Sequence, residues 1–163
     1  VFSNVSNRYD LMNDLMSFGI HHIWKRIAIA QAFLRKGETI LDLACGTCDL
    51  TQLIYQKLEG EGRFLLGDIN HDMIKVGRDK LIDQNRVKNI HYLQINAENL
   101  PFAKNSLDCI FISFGLRNVT RIDTALSSMF EALMPGGRVI ILEFSKPSAW
   151  INKIYDAYLF NII

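Results

Sequence analysis

Glu38-Thr39-Ile40-Leu41-Asp42-Leu43-Ala44-Cys45-Gly46-Thr47-Cys48-Asp49-Leu50-Thr51 is the stretch that decides how this chain folds. Ile40 to Ala44 is a short apolar run broken only by Asp42, of the length a buried strand uses. A turn of small residues follows. Asp49 then opens a segment whose apolar positions Leu50, Leu53, Ile54 and Leu58 recur at helical spacing. Strand, small-residue turn and helix make the first unit of a doubly wound α/β sheet, where a ligand lies against backbone at the helix start. A dinucleotide-binding turn would read G-x-G-x-x-G; this one holds the single Gly46, so that match fails.

Working outward from this unit, a second strand spans Gly62–Ile69, with Asp68 near its end, and a helix follows from Asn70, a residue suited to N-capping. A third strand, Ile90–Ile95, runs into Asn96-Ala97, and a polar loop containing Pro101 leads to a fourth, Leu107–Phe114. Asp123–Met134 reads as a helix stopped by Pro135-Gly136-Gly137, before a fifth strand, Arg138–Phe144. Upstream, Ile20, Ile23, Trp24, Ile27 and Ala30 form the apolar face of a helix ending near Gly37. Downstream, Trp150, Ile151, Ile154, Tyr155, Tyr158, Leu159 and Ile162 form another apolar helix face, which reads as core before membrane contact. Alternating strands and helices predict a parallel sheet of order 3-2-1-4-5 with right-handed crossovers. Its ligand crevice should lie outside the carboxyl ends of the strands. Gly46-Thr47, Asp68, Asn96-Ala97, Ser113-Phe114-Gly115 and Glu143 all fall at that edge.

At 163 residues the chain is expected to be one domain, with a helical lid over 1–37, a core over 38–145 and the start of a further region over 146–163. Net charge is +1 and there is no basic stripe, which argues against a nucleic-acid partner. No apolar run approaches the roughly 18 residues of a membrane span, and Val1-Phe2-Ser3-Asn4 has no secretory pattern. Three cysteines without framework spacing fit a reducing compartment, so a cytoplasmic location is expected.

Among the candidate residues, Asp68 stands where a carboxylate receives both hydroxyls of a ribose; its competing role is a charge at the following helix N-terminus. Asn96 and Ala97 could frame an adenine, or simply end a strand in a turn. Cys45-Gly46-Thr47-Cys48 reads formally as C-x-x-C, the thiol-redox alternative, but Asp42 and Asp49 beside it would raise thiol pKa values. A metal site is not expected: His21 and His22 point different ways on a helix and Cys109 lies mid-strand. Tyr9-Asp10 and Asn13-Asp14 read as a lid or as a solvated N-terminus, and Arg117 and Asn118 as the crevice mouth or a surface loop.

An acid within the first strand followed by Ala-x-Gly is close to the turn of S-adenosylmethionine (SAM) methyltransferases, where room for an amino acid replaces a phosphate cradle. Over nearly its whole length the sequence resembles the UbiE-type C-methyltransferases of ubiquinone and menaquinone biosynthesis. The matching words include Tyr9-Asp-Leu-Met-Asn-Asp14, Asp42-Leu-Ala-x-Gly46-Thr47-x-Asp49-Leu-Thr51, Gly67-Asp-Ile-Asn70, Asn96-Ala-Glu98, Leu100-Pro-Phe102 and Pro135-Gly-Gly137. Ile112-Ser-Phe-Gly-Leu-Arg-Asn-Val119, Glu143-Phe-Ser-Lys-Pro147 and Tyr155-Asp-Ala-Tyr158 complete them, the first being the most specific.

The resemblance implies a Rossmann-like SAM methyltransferase sheet with N-terminal helices and its last strands missing, since the family continues past Ile163. It implies SAM contacts from Gly46, Thr47, Asp68, Asn96, Ala97 and Ser113, with Asp42 in the same turn, and S-adenosylhomocysteine as product. No metal is implied. The implied substrate is a polyprenylated quinol, 2-polyprenyl-6-methoxy-1,4-benzoquinol or demethylmenaquinol, methylated on a ring carbon and met at the inner-membrane surface or within a complex of sister enzymes. Because a neutral aromatic carbon is a poor nucleophile, a ring hydroxyl of pKa near 10 must lose its proton. Arg117 would lower that pKa or position a water, Asn118 and Tyr9 would fix the geometry, and Glu143 and Asp10 are reserve bases. The alternative is an impaired module that binds SAM or quinone without turnover. One departure bears on it: Cys48 stands where the family usually has glycine, and its β-carbon is expected to crowd the cofactor.

Overall fold

The computed structural model describes residues 20–144. In chain order these form α1 (His21–Gln31), β1 (Thr39–Leu43), α2 (Asp49–Lys57), β2 (Arg63–Asp68), α3 (His71–Asp83), β3 (Ile90–Gln94) and β4 (Leu107–Ser113). A single 3₁₀ turn, Leu116–Asn118, then precedes α4 (Ile122–Ala132) and β5 (Leu133–Leu142). The strands make one parallel sheet of order β3-β2-β1-β4-β5, as the alternation of elements predicts. The last apolar stretch, from Trp150, and the Tyr9–Asp14 cluster lie outside the described residues.

β1 is central, with Leu41 opposite Leu65 of β2 on one side and Ile110 of β4 on the other. Successive residues point to opposite faces, and both faces are covered. Ile40, Phe64, Leu66, Cys109 and Phe111 pack against α1, α2 and α3 through Ile29, Leu50, Ile54 and Leu81. Leu41, Leu43, Leu65, Ile110 and Ile112 pack against α4 through Ala125 and Met129. Each leucine, isoleucine, phenylalanine and methionine among them, taken out of water, contributes about 1.5–3 kcal/mol. Two-sided burial is why these strands read as apolar runs and why Asp42, inside one of them, stands out.

Asn70 caps α3 as expected: its Oδ1 accepts from the N–H groups of Asp72 (2.9 Å) and Met73 (3.4 Å). Two expectations are corrected. The apolar stripe of α1 faces outward, with Ile20, Ile23 and Ile27 all exposed. The helix instead seats His21, Lys25, Ala28 and Ile29. Small alanines allow close approach, and Lys25 finds an acid beneath it at Asp49. The second correction concerns Pro135-Gly136-Gly137, which does not separate a helix from a strand. The helix ends at Ala132, and β5 begins at once with a register break: Leu107 pairs with Leu133, but Cys109 pairs with Arg138. Pro135 has no N–H to give a ladder and Gly136 sits at φ +83°, so the three residues form a bulge inside the strand.

Candidate active site

At the carboxyl edge of the sheet, β1, β2, β3 and β4 open onto a cavity of about 370 Å³, within the usual span for small-molecule sites. Gly46, Asp68, Asn96, Ala97 and Ser113 all line it. Thr47 and Asp42 line a second, smaller cavity of about 60 Å³, which shares the walls Ala44, Gly46, Met73, Ser113 and Phe114 with the first. All seven residues expected to bind cofactor therefore surround these two adjoining spaces.

The backbone around them is held in sparsely populated conformations. Ala44 (φ +56°) and Phe114 (φ +56°) turn the chain off the neighbouring strands β1 and β4, and Gly46 (φ +52°) and Cys48 (φ +62°) shape the turn into α2. Such strain persists only where surrounding contacts enforce it. Here the amide of Cys45 donates to Gly67 O (3.1 Å), that of Gly46 to Asp68 Oδ2 (2.9 Å), and that of Cys48 to Cys45 O (2.8 Å). Gly115 is required beside Ala44, since a β-carbon there would stand 2.5 Å from that of Ala44.

Asp68 takes the Gly46 amide on one oxygen and the Asn70 amide (2.9 Å) on the other, which fixes the carboxylate at the cavity rim. Asn96 Oδ1 accepts from the Glu98 amide (3.0 Å), which leaves the NH₂ group as that side chain's donor toward a ligand. Ser113 Oγ is buried and has no hydrogen-bond partner. A buried hydroxyl without a partner costs about 1–3 kcal/mol, and a polar ligand in the cavity would relieve it. These groups fit an adenosyl ligand: a carboxylate for a ribose diol, amide chemistry for a base edge, an orphan hydroxyl between.

The electrostatics differ across the turn. Asp42 is fully buried, and desolvation pushes its carboxyl up to about 6 although Thr51 donates both N–H (3.1 Å) and Oγ–H to it. Asp49 is pushed up by burial but pulled further down by Lys80, its hydrogen-bond partner, and by Lys25, so its carboxyl lies below the ordinary value. The Cys45 thiol is raised well above the usual range, first by its hydrogen bond with Cys48, then by burial, then by Cys48, Asp42 and Asp68 as neighbouring charges. The pair is poorly placed to act as a nucleophilic dithiol.

Cys48 corrects an expectation. Its side chain is buried and lines neither cavity. The sulfur lies behind the turn, where it would collide with a methyl group placed on Gly77 of α3. The cost of cysteine here is conformational, about 1–2 kcal/mol for the left-handed φ, and its side chain lines neither cavity.

Of the expected catalytic residues, Asn118 lines the large cavity, Arg117 does not, and Tyr9 lies outside the described residues. Arg117 is tied to Glu143: Nη1 stands 3.0 Å from Oε2, and its amide donates to Oε1 at 3.3 Å. The guanidinium lies over the stacked rings of Phe114 (5.9 Å) and Phe144 (5.3 Å). Reading the sequence placed Phe114 at the ligand edge but missed Lys25 as a site residue. The available signal for Lys25 was a lone cation on the same helical face as His21 and Ala28. Among the described residues, no group of three His, Cys, Asp or Glu side chains could hold a metal ion.

A doubly wound sheet with a one-glycine turn after β1, an acid ending β2 and an asparagine after β3 defines a Rossmann-like fold of the methyltransferase kind. Solved structures agree. The fold matches a putative S-adenosyl-L-methionine-dependent methyltransferase from Methanococcus maripaludis (TM-score 0.71, 19% identity, 96% of this chain and 74% of that one). It also matches a SAM-dependent methyltransferase from Aquifex aeolicus (TM-score 0.68, 16% identity, 82% and 78%). The chain belongs to the ubiE/COQ5 methyltransferase family, which it matches over residues 1–163. It is 56% identical to the ubiquinone/menaquinone biosynthesis C-methyltransferase UbiE of Photorhabdus laumondii over 164 residues, and spans all of itself but 65% of that relative's length.

Proposed function

We propose that this chain carries the donor-binding site and part of the catalytic site of a SAM-dependent C-methyltransferase of quinone biosynthesis. Its acceptor is a ring carbon of a polyprenylated quinol, either 2-polyprenyl-6-methoxy-1,4-benzoquinol or demethylmenaquinol. The observation that carries this reading is the single cavity joining Asp68, Asn96, Ala97 and the unpartnered Ser113 hydroxyl. When bound there, SAM supplies an electrophilic methyl group. Asp68 orients the ribose, Asn96 and the Ala97 backbone hold the adenine edge, and Ile95, Ile112 and Phe114 exclude water from the reacting centre.

The acceptor must become a phenolate before its carbon is nucleophilic. Arg117 supplies the nearby positive charge that lowers the hydroxyl's pKa, and Asn118, on the cavity wall, aligns the ring. Arg117 cannot act as a base itself. Arg117 otherwise positions a water that takes the proton, and Glu143, which pairs with Arg117, is a reserve base. Tyr9 joins Asn118 in this alignment. The prenyl tail brings the enzyme to a membrane surface or to neighbouring enzymes of the same route; among the described residues, no helix is long and apolar enough to cross a membrane.

The test pairs calorimetric titration of S-adenosylhomocysteine with transfer of labelled methyl from SAM to a demethylmenaquinol. Arg117→Ala should lower kcat about 100-fold or more with donor affinity within twofold of the parent. An unchanged kcat with SAM saturating overturns the role of Arg117. Donor binding with no methyl transfer in the parent chain would leave a binding module and remove the enzymatic reading.

A further inference from the structure

The smaller cavity is lined by an unusual set of charges for so enclosed a place. Lys25 reaches it from α1, Asp42 from β1 and Asp49 from the start of α2, with Thr47 of the turn between them. Lys25 is only 8% exposed, rare for a residue whose charge normally keeps it in water. Its Nζ is 3.6 Å from Asp49 Oδ2, longer than the 2.7–2.9 Å of a good charge-assisted hydrogen bond. The other oxygen of Asp49 is taken by Lys80. An ammonium carries three donors, and among the described residues the ion pair of Lys25 is with a carboxylate shared with Lys80.

At about 60 Å³ the space holds roughly two waters' share of liquid volume. That suits a small charged head group and is far too little for a base or a ring. It shares the walls Gly46, Met73 and Ser113 with the large cavity, whereas Asn96 and Ala97 line only the large one. A ligand with its nucleoside between Asp68 and Asn96 would therefore extend its other end across Gly46 toward one cation and two acids. A zwitterionic amino acid has the matching pair of charges.

We propose that Lys25 receives the α-carboxylate of the donor's amino-acid end in the small cavity, with Asp42 and Asp49 facing its α-ammonium. This rests on the reading that the large cavity takes the adenosyl half of SAM. It makes a helix outside the sheet part of the donor site, and assigns Lys25 a binding role beyond pinning α1 to α2.

The experiment compares two ligands by calorimetry: S-adenosylhomocysteine, which has the amino-acid end, and 5′-methylthioadenosine, which lacks it. Lys25→Met should weaken the first about 10- to 100-fold and leave the second within twofold. Lys25→Arg, which keeps the charge, should recover most of the loss. On the parent chain, the methyl ester of S-adenosylhomocysteine should bind about as weakly as S-adenosylhomocysteine binds to Lys25→Met; this arm stands even where the variant does not fold. Equal weakening of both ligands, or no weakening of either, overturns the assignment of Lys25 while leaving the donor site intact. Failure of the parent chain to bind either ligand overturns the donor site and this proposal together.

Discussion

Asp42 and Asp49 flank the same turn, seven residues apart, and the fold treats them in opposite ways. Asp42 is fully buried beside the small cavity, where hydrogen bonds from Thr51 and the charge of Lys25 only partly offset desolvation, and its carboxyl rises to about 6. Asp49 opens α2 beside Lys80 and Lys25, and although burial pushes it up, the two cations carry it below its ordinary value. Desolvation wins at one end and ion pairing at the other. Hydrogen bonds and a cation that makes no direct pair therefore do not hold a buried acid at its ordinary pKa; direct ion pairs do.

The largest effect that tests this contrast is a pH dependence. A folded pKa near 6 against an ordinary 3.8 means that folded Asp42 holds its proton where the unfolded group has lost it. Its contribution to stability is thus present below about pH 4 and lost as pH rises through 6, the reverse of a salt-bridged acid. Asp42→Asn removes this dependence. The advantage of the variant over the parent in urea unfolding should grow by roughly 2 kcal/mol between pH 4 and pH 7. A gap that stays constant over that range would break the contrast at its buried end.

Next in size is Asp49→Asn, which strands two ammonium groups around a partly exposed site. A loss of about 2 kcal/mol is expected at pH 7, less than for a fully buried pair because solvent screens it. Asp49 has a lowered pKa, so its contribution is present above about 3.8 and is lost as pH falls through the folded value. The cost of the substitution should fade below pH 4, opposite in slope to Asp42→Asn. Lys80→Met should cost less than Asp49→Asn, since Lys25 remains beside the acid.

The smallest expected effect lies between the two acids. Cys48→Gly relieves the left-handed φ, worth about 1–2 kcal/mol, but removes a buried side chain of similar worth. Stability should stay within about 1 kcal/mol of the parent and affinity for S-adenosylhomocysteine within twofold, both read by thermal unfolding and calorimetry. Markedly tighter binding would show that the cysteine does disturb the donor pocket.

Much of this architecture was legible in the residues. The sheet order followed from the alternation of apolar runs with helical spacings, and the edge residues Asp68, Asn96 and Ser113 follow once that order is known. The hidden parts depend on choices that a linear pattern does not contain. Ile20, Ile23 and Ile27 make the obvious apolar stripe, yet α1 seats the face carrying Lys25, because the charge beneath it comes from an element some twenty residues later. Pro135-Gly136-Gly137 has the composition of a linker, and only pairing with β4 reveals it as a bulge. Cys48 could be placed at a strained position from the turn, but the direction of its side chain depends on Gly77 in the next crossover helix.

That contact with Gly77 limits how the chain could have changed over time. A β-carbon at 77 would meet both the Cys48 sulfur and, at 3.0 Å, the carbonyl oxygen of Gly46, so a cysteine at 48 is admissible only in a background that already has no side chain at 77. The two positions are sterically coupled: the thiol in the turn needs a glycine in the helix. With the cysteine in place, alanine at 77 would meet its sulfur, so a buried helix position and a buried turn position constrain each other.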